Sequence, residues 1–135
     1  MIVVDTSVAV AAALPWHASH AAALAALPDR PTRLIAHAGL ETYSVLTRLP
    51  PPHRVAALDA HEYLVATFER PALTLSAEGY AHLLDFAAHA RIGGGAVYDA
   101  LVALTAREAG ATLLTLDRRA VATYRLLLAD FALVG

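Results

Sequence analysis

Four acidic residues occupy positions where a carboxylate is unusual and where several together could carry out chemistry. Asp5 and Asp117 each follow a short apolar, β-prone run, and the functional groups of parallel sheets gather beyond the carboxyl ends of the strands. Glu41 and Asp99 fall on the apolar stripe of a predicted helix, the face that a helix buries. A buried carboxylate is unfavourable unless its charge is compensated. We therefore predict that these four residues, called the acid quartet below, form one functional cluster.

The chemistry of such a cluster follows from the repulsion between its charges. Two carboxylates about 5 Å apart repel by about 3 kcal/mol at an effective dielectric constant near 20. Several such pairs would rival the whole stability of a domain, so either some acids are protonated or divalent cations lie among them. Oxygen ligands without cysteine favour Mg²⁺ or Mn²⁺ over zinc. These ions activate water and neutralise phosphoryl oxygens, which is the chemistry of phosphodiester hydrolysis.

A simpler role exists for two members of the quartet. Asp5 and Asp117 stand directly before predicted helices, and aspartate is a favoured N-cap residue. Capping does not account for Glu41 or Asp99, which lie within helices. The other acids fall on polar stripes or in turns, and we expect them to be solvated surface groups: Asp29, Asp59, Glu62, Glu69, Glu78, Asp85, Glu108 and Asp130.

The elements that must position these acids alternate along the chain, which predicts an α/β fold with mostly parallel strands. Strands are predicted at 2–4, 33–36, 73–75, 112–116 and 131–134. Helices are predicted at 7–14, 16–27, 37–49, 53–68, 77–90, 96–109 and 118–128. The glycines at 93–95 predict a tight turn that lets Asp99 reach the edge of the sheet.

Composition narrows the range of functions. The length of 135 residues predicts a single domain, residues 1–135. The chain has no cysteine, and its ten basic residues are all arginine. The lack of lysine excludes P-loop NTPases, protein kinases, Schiff-base enzymes and Ser/Lys hydrolases. No apolar run is long enough to span a membrane, and no basic residue precedes the first one. We therefore expect a cytoplasmic protein.

The segments that carry the acid quartet resemble those of PIN-domain ribonucleases, in particular the VapC toxins of bacterial type II toxin-antitoxin systems. IVVDTS at 2–7 is similar to the family's first strand and first acid, and LET at 40–42 to its second acid. GAVYDALVA at 95–103 and LTLDRR at 114–119 are similar to the segments with the third and fourth acids. The acids are separated by 36, 58 and 18 residues, so the resemblance covers nearly the whole chain.

The resemblance implies a PIN-like α/β/α sandwich with a central, mostly parallel sheet of four or five strands. It implies that the acid quartet binds Mg²⁺ or Mn²⁺, directly or through water, and that a metal-activated water hydrolyses structured RNA such as tRNA or rRNA. Thr6, Ser7 and Thr115 would orient the carboxylates or metal-bound water. A homodimer and neutralisation by a cognate VapB antitoxin are also implied. Some family members carry a further acid shortly after the fourth, where this chain has Arg118 and Arg119. The resemblance therefore leaves the binding of a second metal ion open.

Local arginines must supply the affinity for RNA, because a net charge of −2 creates no overall positive field. Arg91, Arg118 and Arg119 flank the predicted site, where they could contact phosphates or form surface ion pairs. Two rival functions stay open: a PIN nuclease of RNA maturation without an antitoxin, and a non-catalytic PIN-like binding module. An intact acid quartet argues against the binding module. A short reading frame for a DNA-binding-type protein directly upstream would favour the toxin.

Two groups of histidines have a spacing that could bind a transition metal, and one aromatic residue could line a partner groove. His17 and His20, three positions apart, have the spacing of transition-metal ligands, as have His82 and His89 with the acid between them. We expect both groups to be solvated surface. Trp16 is expected to pack in the core rather than line a partner groove.

Overall fold

Helices and strands alternate along the chain in the computed structural model, which describes residues 1–135. The strands are β1 (Ile2–Val4), β2 (Thr32–Ile35), β3 (Phe68–Leu73), β4 (Thr112–Thr115) and β5 (Asp130–Leu133). The helices are α1 (Thr6–Ala13), α2 (His20–Ala26), α3 (Ala36–Thr47), α4 (Ala57–Thr67), α5 (Ala77–Ala90), α6 (Ala96–Glu108) and α7 (Val121–Leu126). The predicted α/β class is confirmed. None of these helices has the length and apolar character needed to cross a bilayer.

All five strands pair in parallel, as predicted, but their hydrogen bonds form two sheets. One sheet has the order β1-β4-β5, with Val4 opposite Leu114 and Thr115 opposite Leu133. The other consists of β2 and β3, and β2 lies beside β1. Parallel pairing brings the carboxyl ends of β1 and β4 together. The residues that follow these two strands therefore emerge at one edge.

The alternation of side chains along β1 divides the core between two layers of helices. Val3 packs in the cluster that contains residues of α5, α6 and α7, whereas Val4 packs with α1 and α2. Both valines are completely buried, as expected for a parallel strand covered on both faces. This arrangement is the α/β/α sandwich that the resemblance implied.

The third strand and three helix boundaries differ from the predictions. The third strand was predicted at 73–75, whereas β3 runs from Phe68 to Leu73 and includes Pro71, which cannot donate to a ladder. Most of its residues are exposed, and on such an outer strand a missing N–H is tolerated. α2, α4 and α7 begin three or four residues later than predicted, because a turn with its own hydrogen bonds precedes each helix.

A small third core joins three of the helices and generates a test of the packing. Leu46 of α3 is 1% exposed and packs against Leu14 and Ala60. We predict that Leu46→Ala lowers the free energy of unfolding by about 2–5 kcal/mol, because a cavity replaces buried methyl groups. The matched control is Leu58→Ala on α4, where the leucine is 81% exposed. Urea denaturation of the control should stay within about 0.5 kcal/mol of the parent; equal losses would contradict the assigned packing.

Candidate active site

The acid quartet lines one cavity of about 500 Å³ at the carboxyl edge of the three-stranded sheet. Asp5 directly follows β1, and Asp117 comes two residues after the end of β4. Glu41 reaches the cavity from α3 and Asp99 from the first turn of α6. Four elements distant in sequence thus bring their carboxylates to the same place.

Asp5 is the buried member of the quartet, with 4% of its surface exposed. Hydroxyl groups of Ser7 and Thr115 donate to its two carboxylate oxygens, and the Tyr124 hydroxyl donates to Oδ2 at 2.8 Å. The Val8 N–H, 3.2 Å from Oδ1, makes Asp5 the N-cap of α1 as well. Burial raises the pKa of Asp5, and these four hydrogen bonds act in the opposite direction. Capping and membership of the quartet are therefore compatible roles.

The hydroxyl residues predicted to orient the carboxylates surround Asp5. Ser7 also accepts a hydrogen bond from the Leu116 N–H at 2.9 Å. Thr115 accepts one from the Asp117 N–H at 2.9 Å, so the same hydroxyl contacts one acid and positions the backbone of another. The Thr6 hydroxyl is buried without a hydrogen-bond partner, and Thr6 lines the cavity.

The charges of the other three acids affect the ionisation of Asp99. Its pKa is raised from 3.8 to about 6, first by burial and then by the charges of Asp117, Glu41 and Asp5. Each of these acids makes ionisation of Asp99 less favourable. The charges of the quartet therefore interact, and the pKa of half-buried Asp99 is raised by all three of the other acids.

Glu41 has a neighbour that the sequence analysis did not identify. Nε2 of His37 lies 2.9 Å from Oε1 of Glu41, one helical turn away on α3, at angles outside hydrogen-bonding geometry. The imidazole stacks on Tyr98, with ring centroids 5.0 Å apart and planes 7° from parallel. Because Tyr98 precedes Asp99, this stack connects the helices that carry two members of the quartet.

Two more side chains at the site were missed, each for a physical reason. Tyr124 contacts Asp5 across 119 positions of sequence, a distance at which no local pattern gives a signal. His17 was expected on the solvated surface, but it lines the cavity. Its Nδ1 accepts a hydrogen bond from the Ser19 N–H at 3.0 Å, an interaction that holds the turn before α2 against the site.

The predicted RNA contacts lie outside the cavity wall. Arg118 and Arg119 are exposed next to Asp117, and exposed Arg91 ends α5 in a left-handed conformation with φ of 58°. Trp16, expected in the core, is 52% exposed. His89 and Asp85 are largely exposed and 3.6 Å apart, as predicted for solvated surface.

The donor set fits a hard divalent cation. The cavity offers carboxylate oxygens and the unpartnered hydroxyl of Thr6, which are the ligand types that Mg²⁺ and Mn²⁺ prefer. No three acidic or histidine side chains stand close enough together to form a ready-made ligand set. The raised pKa of Asp99 nevertheless shows that the charges interact, and a cation among them would relieve that repulsion.

Comparisons with known proteins agree on one family. The PIN domain family model matches residues 2–126. Ribonuclease VapC40 of Mycobacterium tuberculosis, from strains CDC 1551 / Oshkosh and H37Rv, is 53% identical over 134 residues, 99% of each chain. Ribonuclease VapC27 of strain H37Rv is 49% identical over 123 residues, 91% of this chain and 89% of the relative.

A solved structure shows the same fold. A chain in the structure of FitAB bound to an IR36 DNA fragment superposes with a TM-score of 0.73. The alignment covers 98% of this chain and 94% of the other at 19% identity. At that identity the likeness concerns the arrangement of helices and strands alone.

The buried donor to Asp5 generates a prediction about stability. Tyr124→Phe removes the hydroxyl that lies 2.8 Å from Oδ2 and leaves a buried carboxylate with one donor fewer. We expect the free energy of unfolding to fall by about 1–3 kcal/mol, the usual effect of losing one partner of a buried polar group. Tyr80→Phe on α5, where the tyrosine is 46% exposed, is the matched control. Measured by urea denaturation, the free energy of unfolding of the control should equal that of the parent. Equal stabilities of the two variants would contradict the contact between Tyr124 and Asp5.

The raised pKa of Asp99 predicts how stability depends on pH when a chelator is present. The carboxyl of Asp99 ionises near pH 3.8 when unfolded and near pH 6 when folded. Between these values the folded protein binds more protons, so the free energy of unfolding falls as pH rises. Because Asp99 is partly solvated, its contribution is on the order of 1 kcal/mol rather than the full value of the shift.

Asp99→Asn should flatten this decline, whereas Asp59→Asn, at an exposed position on α4, should keep it. Urea denaturation in EDTA at several pH values from about 4 to about 7 measures the difference. The rest of the sequence is the same in all three proteins, so the contributions of the other residues cancel in the comparison. Parallel profiles for Asp99→Asn and the parent would refute the coupling.

Proposed function

The chain belongs to the PIN-domain family and, within it, to the VapC ribonucleases, and we propose that it is an endoribonuclease that hydrolyses structured RNA, such as tRNA or rRNA, with bound Mg²⁺ or Mn²⁺. The observation that carries the proposal is the convergence of Asp5, Glu41, Asp99 and Asp117 on one cavity. VapC40 and VapC27 are named ribonucleases, and membership of the same family supports the same reaction class here.

The acid quartet would hold the cation. When bound, a divalent ion lowers the pKa of a water molecule and neutralises charge on phosphoryl oxygens. Asp5 can be held in a fixed orientation by Ser7, Thr115 and Tyr124. Asp99 binds a proton below about pH 6, so it becomes available as a carboxylate ligand as that proton leaves. The hydrogen bond from the Asp117 N–H to Thr115 orients the fourth acid.

Unpaired arginines support the binding of an RNA backbone. No arginine of the structure forms an ion pair with an acid; the ion pairs present involve histidines. Arg118 and Arg119, next to Asp117 in sequence, and Arg91, at the end of α5, therefore have no acidic partner. A guanidinium group can bind a phosphate through two parallel hydrogen bonds. We propose these three arginines as phosphate contacts.

We further propose that a cognate VapB-type antitoxin neutralises the enzyme and that the enzyme forms a homodimer, as expected for a VapC toxin. The names of VapC40 and VapC27 support this assignment. An RNA-maturation nuclease without an antitoxin is the rival with the same chemistry. A purely binding module is disfavoured, because a binder gains nothing from four acids whose charges raise the pKa of Asp99.

The test of the reaction is cleavage of a panel of tRNAs and rRNA fragments by purified protein. We predict cleavage with Mg²⁺ or Mn²⁺, none above background in EDTA, and a rate lowered on the order of 100-fold or more for Asp99→Asn, since the ion's contribution is worth several kcal/mol. Asp59→Asn, which changes an exposed acid away from the cavity, should cleave like the parent. Internal cuts separate an endonuclease from an exonuclease.

Cleavage that persists both in EDTA and in Asp99→Asn would remove the metal-dependent mechanism. Thermal denaturation gives an independent readout, because an ion that binds only the folded state stabilises it by mass action. Mn²⁺ should therefore raise the melting temperature of the parent and of Asp59→Asn more than that of Asp99→Asn.

A further inference from the structure

One edge of the cavity carries an exposed aromatic group that the acid quartet does not use. Trp16 lies in the turn between α1 and α2 and is 52% exposed. Its indole packs against the imidazole of His53, with ring centroids 4.4 Å apart and planes 37° from parallel. His17 directly follows Trp16 in the sequence, and the centroid of its ring is 6.3 Å from the centroid of the indole.

This aromatic pair is connected directly to the catalytic cavity. His17 lines the cavity together with Asp5 and Asp117, so the indole lies one side chain away from the wall that holds the acids. The turn is held by backbone hydrogen bonds from His17 to the Leu14 carbonyl and from His20 to the His17 carbonyl. An RNA strand that leaves the acids on the side of His17 would pass near Trp16.

The charge around Trp16 favours nucleic acid as the occupant. The two segments that meet at Trp16 and His53, residues 14–19 and 48–56, contain no aspartate or glutamate. They contain Arg48 and Arg54, both exposed. Nε of Arg54 donates to the Leu49 carbonyl at 2.9 Å, which anchors the guanidinium group in the same loop as His53. An acid-free, arginine-bearing edge with an exposed indole has the composition of surfaces that bind single-stranded RNA.

We propose that Trp16, supported by His53, stacks on an unpaired nucleobase of the RNA next to the phosphate that is cleaved. The substrate would therefore present a single-stranded segment, such as a loop, at the acids. Every base has a π-face, so the platform contributes affinity and register without selecting one sequence. The inference rests on the proposed nuclease function for its meaning, but base binding can be measured without any cleavage.

Trp16 is the only tryptophan of the chain, so its fluorescence reports on this site alone. The probe is a short single-stranded 2′-O-methyl oligoadenylate. EDTA is present, so the proposed metal-dependent hydrolysis cannot occur. We expect saturable quenching of the tryptophan emission as the oligonucleotide binds. An abasic oligomer of equal length and charge should bind about tenfold more weakly, because stacking is lost while the phosphates remain.

Variants then assign the loss to the indole. Trp16→Ala should bind oligoadenylate about tenfold more weakly than the parent and no longer distinguish it from the abasic oligomer, and Trp16→Phe should restore most of the difference. Tyr80→Ala on α5, which removes another exposed aromatic side chain, is the matched control and should behave like the parent. In cleavage assays Trp16→Ala should raise KM and leave kcat within about twofold.

Several outcomes would overturn the inference. Binding without quenching, or a Trp16→Ala variant that still prefers oligoadenylate to the abasic oligomer, would show that no base stacks there. Unchanged RNA affinity in Trp16→Ala, together with lost self-association or lost antitoxin binding, would show that the indole is a protein contact. Quenching by a protein that cleaves no RNA with Mn²⁺ would instead refute the proposed function and leave the base platform standing.

Discussion

The burial of one carboxylate is the interaction on which this site depends. Asp5 lies at the end of β1, almost inaccessible to solvent, and a buried carboxylate persists only when donors surround it. Two donors are local, the Ser7 hydroxyl and the Val8 N–H, and two come from Thr115 and Tyr124 at the other end of the chain. Satisfying Asp5 therefore requires β1, β4 and α7 to assemble correctly, so folding and formation of the site are the same event.

The molecule separates its charges around the cavity. Acids from four elements line the cavity, and three of them raise the pKa of Asp99, whereas the segments that meet at Trp16, residues 14–19 and 48–56, contain two arginines and no acid. A net charge of −2 conceals this division. Under the proposed function, the arginines would attract RNA phosphates, and a bound cation would offset the charge of the acids.

The acids could be predicted from the sequence because each breaks a local rule. Asp5 and Asp117 end apolar strands, and Glu41 and Asp99 interrupt apolar helical faces. Ser7 and Thr115 could be predicted from the resemblance, but Tyr124 and His17 could not, because they obey local rules and reach the site only through tertiary structure. β3 differs from its predicted position and includes Pro71, which breaks the rule for strands, but an exposed outer strand lacks the neighbour that would need its N–H.

The raised pKa of Asp99 relates the stability of the protein to its proposed affinity for a cation. No three groups of the quartet stand close enough together to form a ready-made ligand set, and the charges of the other three acids raise the pKa of Asp99. An ion that binds among the carboxylates relieves their repulsion but must displace the proton that Asp99 holds below about pH 6. Ion affinity should therefore rise with pH over the same interval in which the ion-free protein loses stability.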